Sequence, residues 1–303
     1  MQKNEVAREI SYATSVSSRG ARTLIRVVEN ATGRIGLIRR AAGYEHEVAN
    51  GRPFWDVIVE RYGLSLNVVG GSLQNIPTTG PLVLISNHPY GILDGLVMGH
   101  LLSRSRGDFR ILAHSVFRRA EELNKIILPI SFDETKEAVR QNLKTRADAL
   151  SYLQSGGAIG IFPGGTVSTS AKPFGRPMDP VWRNFTARMI LKSGATVVPV
   201  FFDGHNSRLF QLASHLHYTL RMALLIKEFR ARVGGPVDLV IGKPIEPAQM
   251  ARLSGDPSQL MEFLRAQTYA LSPNPLKSLD YGKEFEDKYR EKAQVQNYGG
   301  RGI

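Results

Sequence analysis

A chain of 303 residues with 42% apolar and 8% aromatic side chains can bury its own core, which excludes a disordered chain and a stapled miniprotein. It contains no cysteine, so disulfides, thiolate nucleophiles and thiolate-held metals are excluded, and any metal site would need His, Asp and Glu. Lys and Arg number 39 against 27 Asp and Glu, a formal net charge of +12 that favours an acidic partner: nucleic acid, an anionic membrane surface or an acidic carrier protein.

In chain order, residues 1–62 read as a helical N-terminal arm, with apolar residues at Leu24, Ile25, Val27 and Val28 and again at Ile35, Leu37 and Ile38 after a break at Thr32-Gly33. Residues 1–40 carry eight Lys or Arg against three Glu, a net of +5. Such a stretch can lie in a lipid headgroup region with its apolar stripe down, or it can cover a protein core and leave its basic face to water. The start, MQKNEVAREI, lacks the apolar stretch of a signal peptide, and the roughly 20 consecutive apolar residues of a spanning helix are absent.

From Leu64 onward, short apolar runs alternate with helical patterns. The runs predict strands at Leu64 to Val69, Leu82 to Ser86, Phe109 to Ala113, Ile126 to Ile130, Ala158 to Phe162, Thr196 to Phe202 and Val237 to Ile241. Helices are predicted near 94–105, 134–155, 180–193 and 207–232, and a last one near 247–271. Asp179 as N-cap, Pro180 at the first helical position and Gly194 beyond the end mark the third of these. Continuous apolar strands separated by helices imply a sheet covered on both faces, an α/β fold. The division expected is the arm at 1–62, an α/β domain at 63–273 and a polar C-terminal tail at 274–303 that ends loosely in NYGGRGI.

The second strand runs into Ser86-Asn87-His88-Pro89-Tyr90-Gly91-Ile92-Leu93-Asp94-Gly95. Pro89 keeps this stretch out of a helix and Gly91 eases a turn, so His88 stands at a strand's carboxyl end with Asp94 in the first turn of the next helix. Ligands of α/β sheets bind at such ends. A carboxylate that orients an imidazole and stabilises its protonated form makes a general base, while the plainer alternative is a pair that caps a turn. A second loop reads Phe162-Pro163-Gly164-Gly165-Thr166-Val167-Ser168-Thr169-Ser170. Its adjacent glycines let amides approach an anion, with the hydroxyls of Thr166, Ser168 and Ser170 as further donors; the alternative is a glycine turn without function. It is no P-loop, since no Gly-Lys-Ser/Thr follows. His88 and Asp94 find no third metal ligand at a convincing spacing, and His114, His215 and His217 read as structural.

Asn-His…Asp, then Ile-x-Phe-Asp ending in Phe132 and Asp133, then Phe-Pro-x-Gly-Thr, then Val-Pro-Val resembles the four blocks of the glycerolipid acyltransferase family, lysophosphatidate acyltransferase type, over residues 64–245. The resemblance implies a mixed, largely parallel sheet flanked by helices, a general base at His88 oriented by Asp94, and acceptor phosphate binding at Gly165, Thr166 and Ser168. Asn87, Gly91, Phe132, Asp133, Gly164, His205 and Arg208 complete the substrate-binding candidates; the last two either touch the acceptor head group or make local hydrogen bonds. Three departures stand out. Asp94 lies six positions after His88, one more than is usual; Gly164 and Val167 replace the family's Glu and Arg; and Glu134 replaces an Arg after Asp133. Asn-His-Pro-x-Gly-x-x-Asp-Gly, Phe-Pro-x-Gly-x-Val-Ser and Phe-Asp-Gly-His-Asn-Ser-Arg-Leu-Phe are similar to the hemolysin-related acyltransferases, which include enzymes acylating lyso-ornithine lipid.

The expectation is therefore an O-acyltransferase that uses an acyl carrier protein or coenzyme A thioester as co-substrate, without cofactor or metal, on a lyso-lipid with an amino-acid head group. It would work peripherally on the cytoplasmic, inner face of the cell membrane, at an anionic surface. Three rivals remain at this point: a lysophosphatidate acyltransferase, a lipid-ester hydrolase, though no Gly-x-Ser-x-Gly elbow occurs, and a basic module binding anionic lipid or nucleic acid without chemistry. Nucleic acid is not expected, because neither an aromatic-basic RNA motif nor a helix-turn-helix signature is present.

Overall fold

The computed structural model describes residues 11–13, 16, 18–114, 121–131, 135–287, 289–291 and 293. Among these residues four helices come first: α1 (Arg19–Thr32), α2 (Arg34–Ala41), α3 (Tyr44–Ala49) and α4 (Phe54–Arg61). The remainder alternates: β1 (Ser65–Gly71), β2 (Leu82–Ser86), α5 (Ile92–Arg106), β3 (Arg110–His114), α6 (Glu121–Asn124), β4 (Ile127–Ile130), α7 (Lys136–Gln154) and β5 (Ala158–Ile161). A two-stranded ribbon, β6 (Thr169–Ser170) and β7 (Pro177–Met178), precedes α8 (Asn184–Ser193) and β8 (Thr196–Phe202). Then follow α9 (Arg208–Leu216), α10 (Tyr218–Arg232), β9 (Pro236–Ile241), α11 (Pro247–Met250) and α12 (Pro257–Tyr269).

Seven strands form one mixed sheet in the order β1-β9-β8-β2-β5-β3-β4. Only the β8–β9 junction is antiparallel, so β8, β2, β5, β3 and β4 run one way and β9 with β1 the other. Alternation along the strands separates two cores. Leu82, Leu84, Val198 and Val200 join Ile25, Leu37, Trp55, Val97 and Ile226 on one face, while Val83, Ile85 and Val197 join Ala149, Ile190 and Leu264 on the other. Because β2, β5 and β8 are parallel neighbours, their carboxyl ends present the 87–91 loop, the segment after Phe162 and the 203–207 loop on one edge.

The arm is one layer of this core, with Ile25 and Leu37 fully buried, whereas Leu24, Val27 and Ile35 are exposed. Gly99 of α5 is obligatory here, because a Cβ at that point would fall within 2.2 Å of the Trp55 ring. The segment assigned to a tail also packs as far as it is described: Gly282 N donates to Asp179 O and Lys283 N to Thr169 O, each at 2.9 Å, and Tyr281 is buried. The loose end expected for NYGGRGI lies outside the described residues.

Three helix boundaries need correction. The helix expected from 180 begins at Asn184 with Arg183 as N-cap, because Asp179 is drawn into the loop cluster described below and Val181 and Trp182 are buried. The 207–232 helix is two, broken at His217, whose extended backbone and ring Nδ1, an acceptor for Thr219 N, start α10. The 247–271 helix breaks before Asp256, which caps α12 by accepting from the amides of Ser258 and Gln259, with Pro257 next. No helix among the described residues is long and apolar enough to cross a membrane.

Candidate active site

His88 follows β2 directly and is held on four sides. Its Nδ1 lies 2.8 Å from Asp94 Oδ2 and its ring stacks on Phe162 at 4.2 Å between centroids. Its amide donates to Asp179 Oδ1 at 3.1 Å and its carbonyl accepts from Ser168 N at 2.8 Å. Asp94 is fully buried in the first turn of α5, where Oδ2 also accepts from Tyr90 N at 2.8 Å and Gly91 N at 3.0 Å. Within the turn between His88 and Asp94, Gly91 has a φ of 89° that suits glycine, and its amide turns onto the carboxylate.

These contacts set the protonation pattern. Oδ2 already accepts from two amides, so the ring nitrogen facing it, Nδ1, is the donor, and Nε2 is the nitrogen turned away from Asp94. Burial pushes the Asp94 carboxyl upward, opposed by the hydrogen bond and charge of His88 and by the Tyr90 and Gly91 amides. Its Oδ1 is buried with no donor among the described residues. All three donors fall on Oδ2, and the buried negative charge can stabilise the imidazolium formed if Nε2 takes a proton. The side chain of His88 is 17% exposed, open enough to meet a ligand.

The second loop closes over the first. Ser168 is buried, with Oγ donating to Asp179 Oδ1 at 2.5 Å. Gly165 spends its amide on Phe162 O at 3.0 Å, and Gly164 beside it is buried. Val167 is buried, with Cγ2 only 3.3 Å from where a Cβ on Gly91 would lie. Asn87 places both polar atoms on Phe202, donating to O at 2.9 Å and accepting from N at 2.8 Å, and so braces the ends of β2 and β8. His205 and Arg208 lie on the same edge, exposed: His205 Nδ1 is 2.9 Å from the neighbouring Asn206 O, and Arg208 donates to Gly175 O of the β6–β7 turn at 3.1 Å. Phe132 and Asp133, like Glu134, lie outside the described residues. A 420 Å³ cleft whose charged lining is Lys172, Arg176, Lys283, Arg290, Asp280 and Glu284 includes none of the candidates.

Sequence reasoning missed two residues. Asp179 joins the loops: beyond His88 and Ser168 it accepts from Trp182 Nε1 at 2.9 Å, and it is fully buried. Arg221 of α10, also buried, reaches the glycine loop from behind, donating to Thr166 Oγ1 at 3.0 Å, Val167 O at 2.7 Å, Thr169 Oγ1 at 2.5 Å and Ser214 Oγ at 3.0 Å. Burial lowers its guanidinium to about 10. The one signal in sequence was a charge breaking the apolar run Leu220-Arg221-Met222-Ala223. Asp179→Ala strands three buried donors and should cost about 3 kcal/mol in chemical denaturation. A loss under about 1 kcal/mol would show that the loops are held together by other contacts.

The sequence model of the family described as Acyltransferase matches residues 33–282. A lyso-glycine lipid O-acyltransferase of Phocaeicola vulgatus is 26% identical over 228 residues, 73% of this chain and 78% of the relative. The protein of that name from Bacteroides thetaiotaomicron is 25% identical over 73% of this chain and 80% of its own. Among solved structures, the 1-acyl-sn-glycerophosphate (LPA) acyltransferase PlsC of Thermotoga maritima superposes with a TM-score of 0.47 at 15% identity, over 85% of this chain and 100% of that one.

Proposed function

The chain belongs to the acyltransferase family, and from that premise we propose that it moves a fatty acyl group from a thioester of acyl carrier protein or coenzyme A to the free hydroxyl of a lyso-lipid with an amino-acid head group. The observation that carries this reading is the His88 Nδ1 to buried Asp94 Oδ2 contact of 2.8 Å at the carboxyl end of β2. The acceptor O–H donates to Nε2. As its oxygen attacks the thioester carbonyl, the proton passes to Nε2 and the carbonyl oxygen takes the negative charge, facing the Gly164 amide. The intermediate collapses by breaking the C–S bond, and the thiolate recovers the proton from His88. Thioester and hydroxyl become ester and thiol, with nothing else consumed.

Two observations support an acceptor without a phosphate. Val167, where the resembled family has an arginine, is buried against Gly91, and Arg221 gives four hydrogen bonds to the protein itself. A phosphate dianion buried there would lack the charge-assisted partners that offset its desolvation. Both relatives carry names that specify a lipid built on an amino acid. Purified protein, one acyl donor and two acceptors in parallel test the reading. A lyso-glycine or lyso-ornithine lipid should be acylated at least about ten-fold faster than lysophosphatidate, equivalent to about 1.4 kcal/mol in the transition state. Preference for lysophosphatidate would make this a glycerophospholipid enzyme. The protein would work at the inner face of the cell membrane, without metal or cofactor.

A further inference from the structure

We propose that three acid-free segments form one surface around the mouth of the site, and that it seats on an anionic bilayer with Phe174 inserted as its tip. The proposal rests on the lyso-lipid reading, which needs an acceptor drawn from a bilayer, and extends it from the N-terminal arm to two further regions.

Residues 11–28, 164–178 and 204–227 contain no Asp or Glu, yet they hold Arg19, Arg22, Arg26, Lys172, Arg176 and Arg208. They come together in space. Arg208 donates to Gly175 O at 3.1 Å and the His215 ring lies 3.0 Å from Ser170 O, which ties α9 to the β6–β7 ribbon. α1 runs beside α10, where Gly33 meets the Arg230 side chain, and Tyr12 Oη lies 3.9 Å from where a Cβ on Gly91 of the catalytic loop would be. Phe174, Leu209, Leu216, Tyr218 and Leu220 are exposed on these segments, joined by Leu24 and Val27 of α1. Exposed apolar side chains among basic ones, uninterrupted by acids within these segments, match the interface of an anionic bilayer, where the chains leave water and the charges meet headgroups; Asp280 and Glu284, from outside the segments, share the cleft of Lys172 and Arg176.

Phe174 is the most specific sign. Gly175 N donates to Lys172 O at 3.0 Å, closing a turn with Pro173 second and Phe174 third. That third position has φ of 68°, a left-handed conformation that ordinarily calls for glycine, and Phe174 is the one non-glycine residue with positive φ among those described. Phe174 is also 71% exposed. Strained backbone and a wetted aromatic are both unfavourable in water, and burying the ring in a lipid interface offsets them. Lys172 and Arg176 flank it at headgroup level.

Sedimentation with vesicles of phosphatidylglycerol and phosphatidylcholine tests the surface. Wild-type protein should bind these, bind less as salt rises, and bind pure phosphatidylcholine weakly. Phe174→Gly suits the backbone, so it should keep or raise the thermal midpoint while weakening vesicle binding, and together with Leu216→Ser the loss should reach about ten-fold. The control pair Val139→Ser and Leu143→Ser, at comparably exposed positions on α7, should bind like wild type. Wild-type binding by the Phe174→Gly/Leu216→Ser protein, or an equal loss in the control, overturns the proposal. So does a loss of affinity for acyl carrier protein with vesicle binding intact, which would give the face to the carrier instead. Thioester consumption by wild-type protein with a detergent-dispersed lyso-aminolipid, without vesicles, tests the acyl-transfer reading separately.

Discussion

His88→Ala should lower acyl transfer by about 10²- to 10⁴-fold while the protein stays folded. The imidazole is the group whose Nε2 is left free by the Nδ1 contact with Asp94, so its loss removes proton abstraction and leaves only alignment and the oxyanion donor. The fold should tolerate it. The backbone contacts of His88 to Asp179 and Ser168 survive, and Asp94 keeps the Tyr90 and Gly91 amides, so no buried charge is stranded. What is lost is one hydrogen bond and the stack on Phe162, about 1 kcal/mol together. Initial rates of thiol release, measured with a denaturation curve, check both halves. Retention of more than about a tenth of the activity contradicts a general base of this strength.

Asp94→Asn should be nearly as damaging, about 10²- to 10³-fold in kcat, because it keeps the acceptor for His88 Nδ1–H but loses the charge that stabilises the imidazolium. The same substitution carries a signature in stability. Burial raises the Asp94 carboxyl in the folded protein. A group raised on folding contributes stability that is present below its unfolded value and is lost as pH rises through the folded one. Wild-type protein should therefore lose stability relative to Asp94→Asn as pH climbs above 3.8, the unperturbed value. The substitution also puts a side-chain amide into the buried space where Oδ1 had no donor, a roughly pH-independent cost that shifts the curve without changing its slope. Activity near wild type would show that the lengthened turn has released Asp94 from catalysis.

What could be read in the sequence was what is local. β2 and β8 have the expected bounds because each is an unbroken apolar run that ends where a polar loop begins, at Asn87 and at Asp203. His88 and Asp94 were legible because one turn joins them. Asp179 was misread because Asp-Pro is the usual signature of a helix start, and nothing near it in sequence reveals that its carboxylate serves His88 and Ser168. Arg221 is 54 residues beyond Val167, whose carbonyl it holds, so only the folded chain discloses it. The arm was legible as a basic amphipathic helix, but its alternatives were not exclusive: Ile25 enters the core while Leu24 and Val27 stay outside. Deleting residues 1–40 would for that reason open the core and could not isolate membrane binding.

Lipid extracts of cells with and without the gene reveal whether His88 drives O-acylation of a lyso-lipid with an amino-acid head group. Mass spectra of the deleted strain should show an accumulating amino-acid lipid lighter by one acyl chain, with its hydroxyl free. The wild-type gene should clear it and a His88→Ala gene should not. Accumulation of lysophosphatidate in its place, or clearance by the His88→Ala gene, would contradict the account.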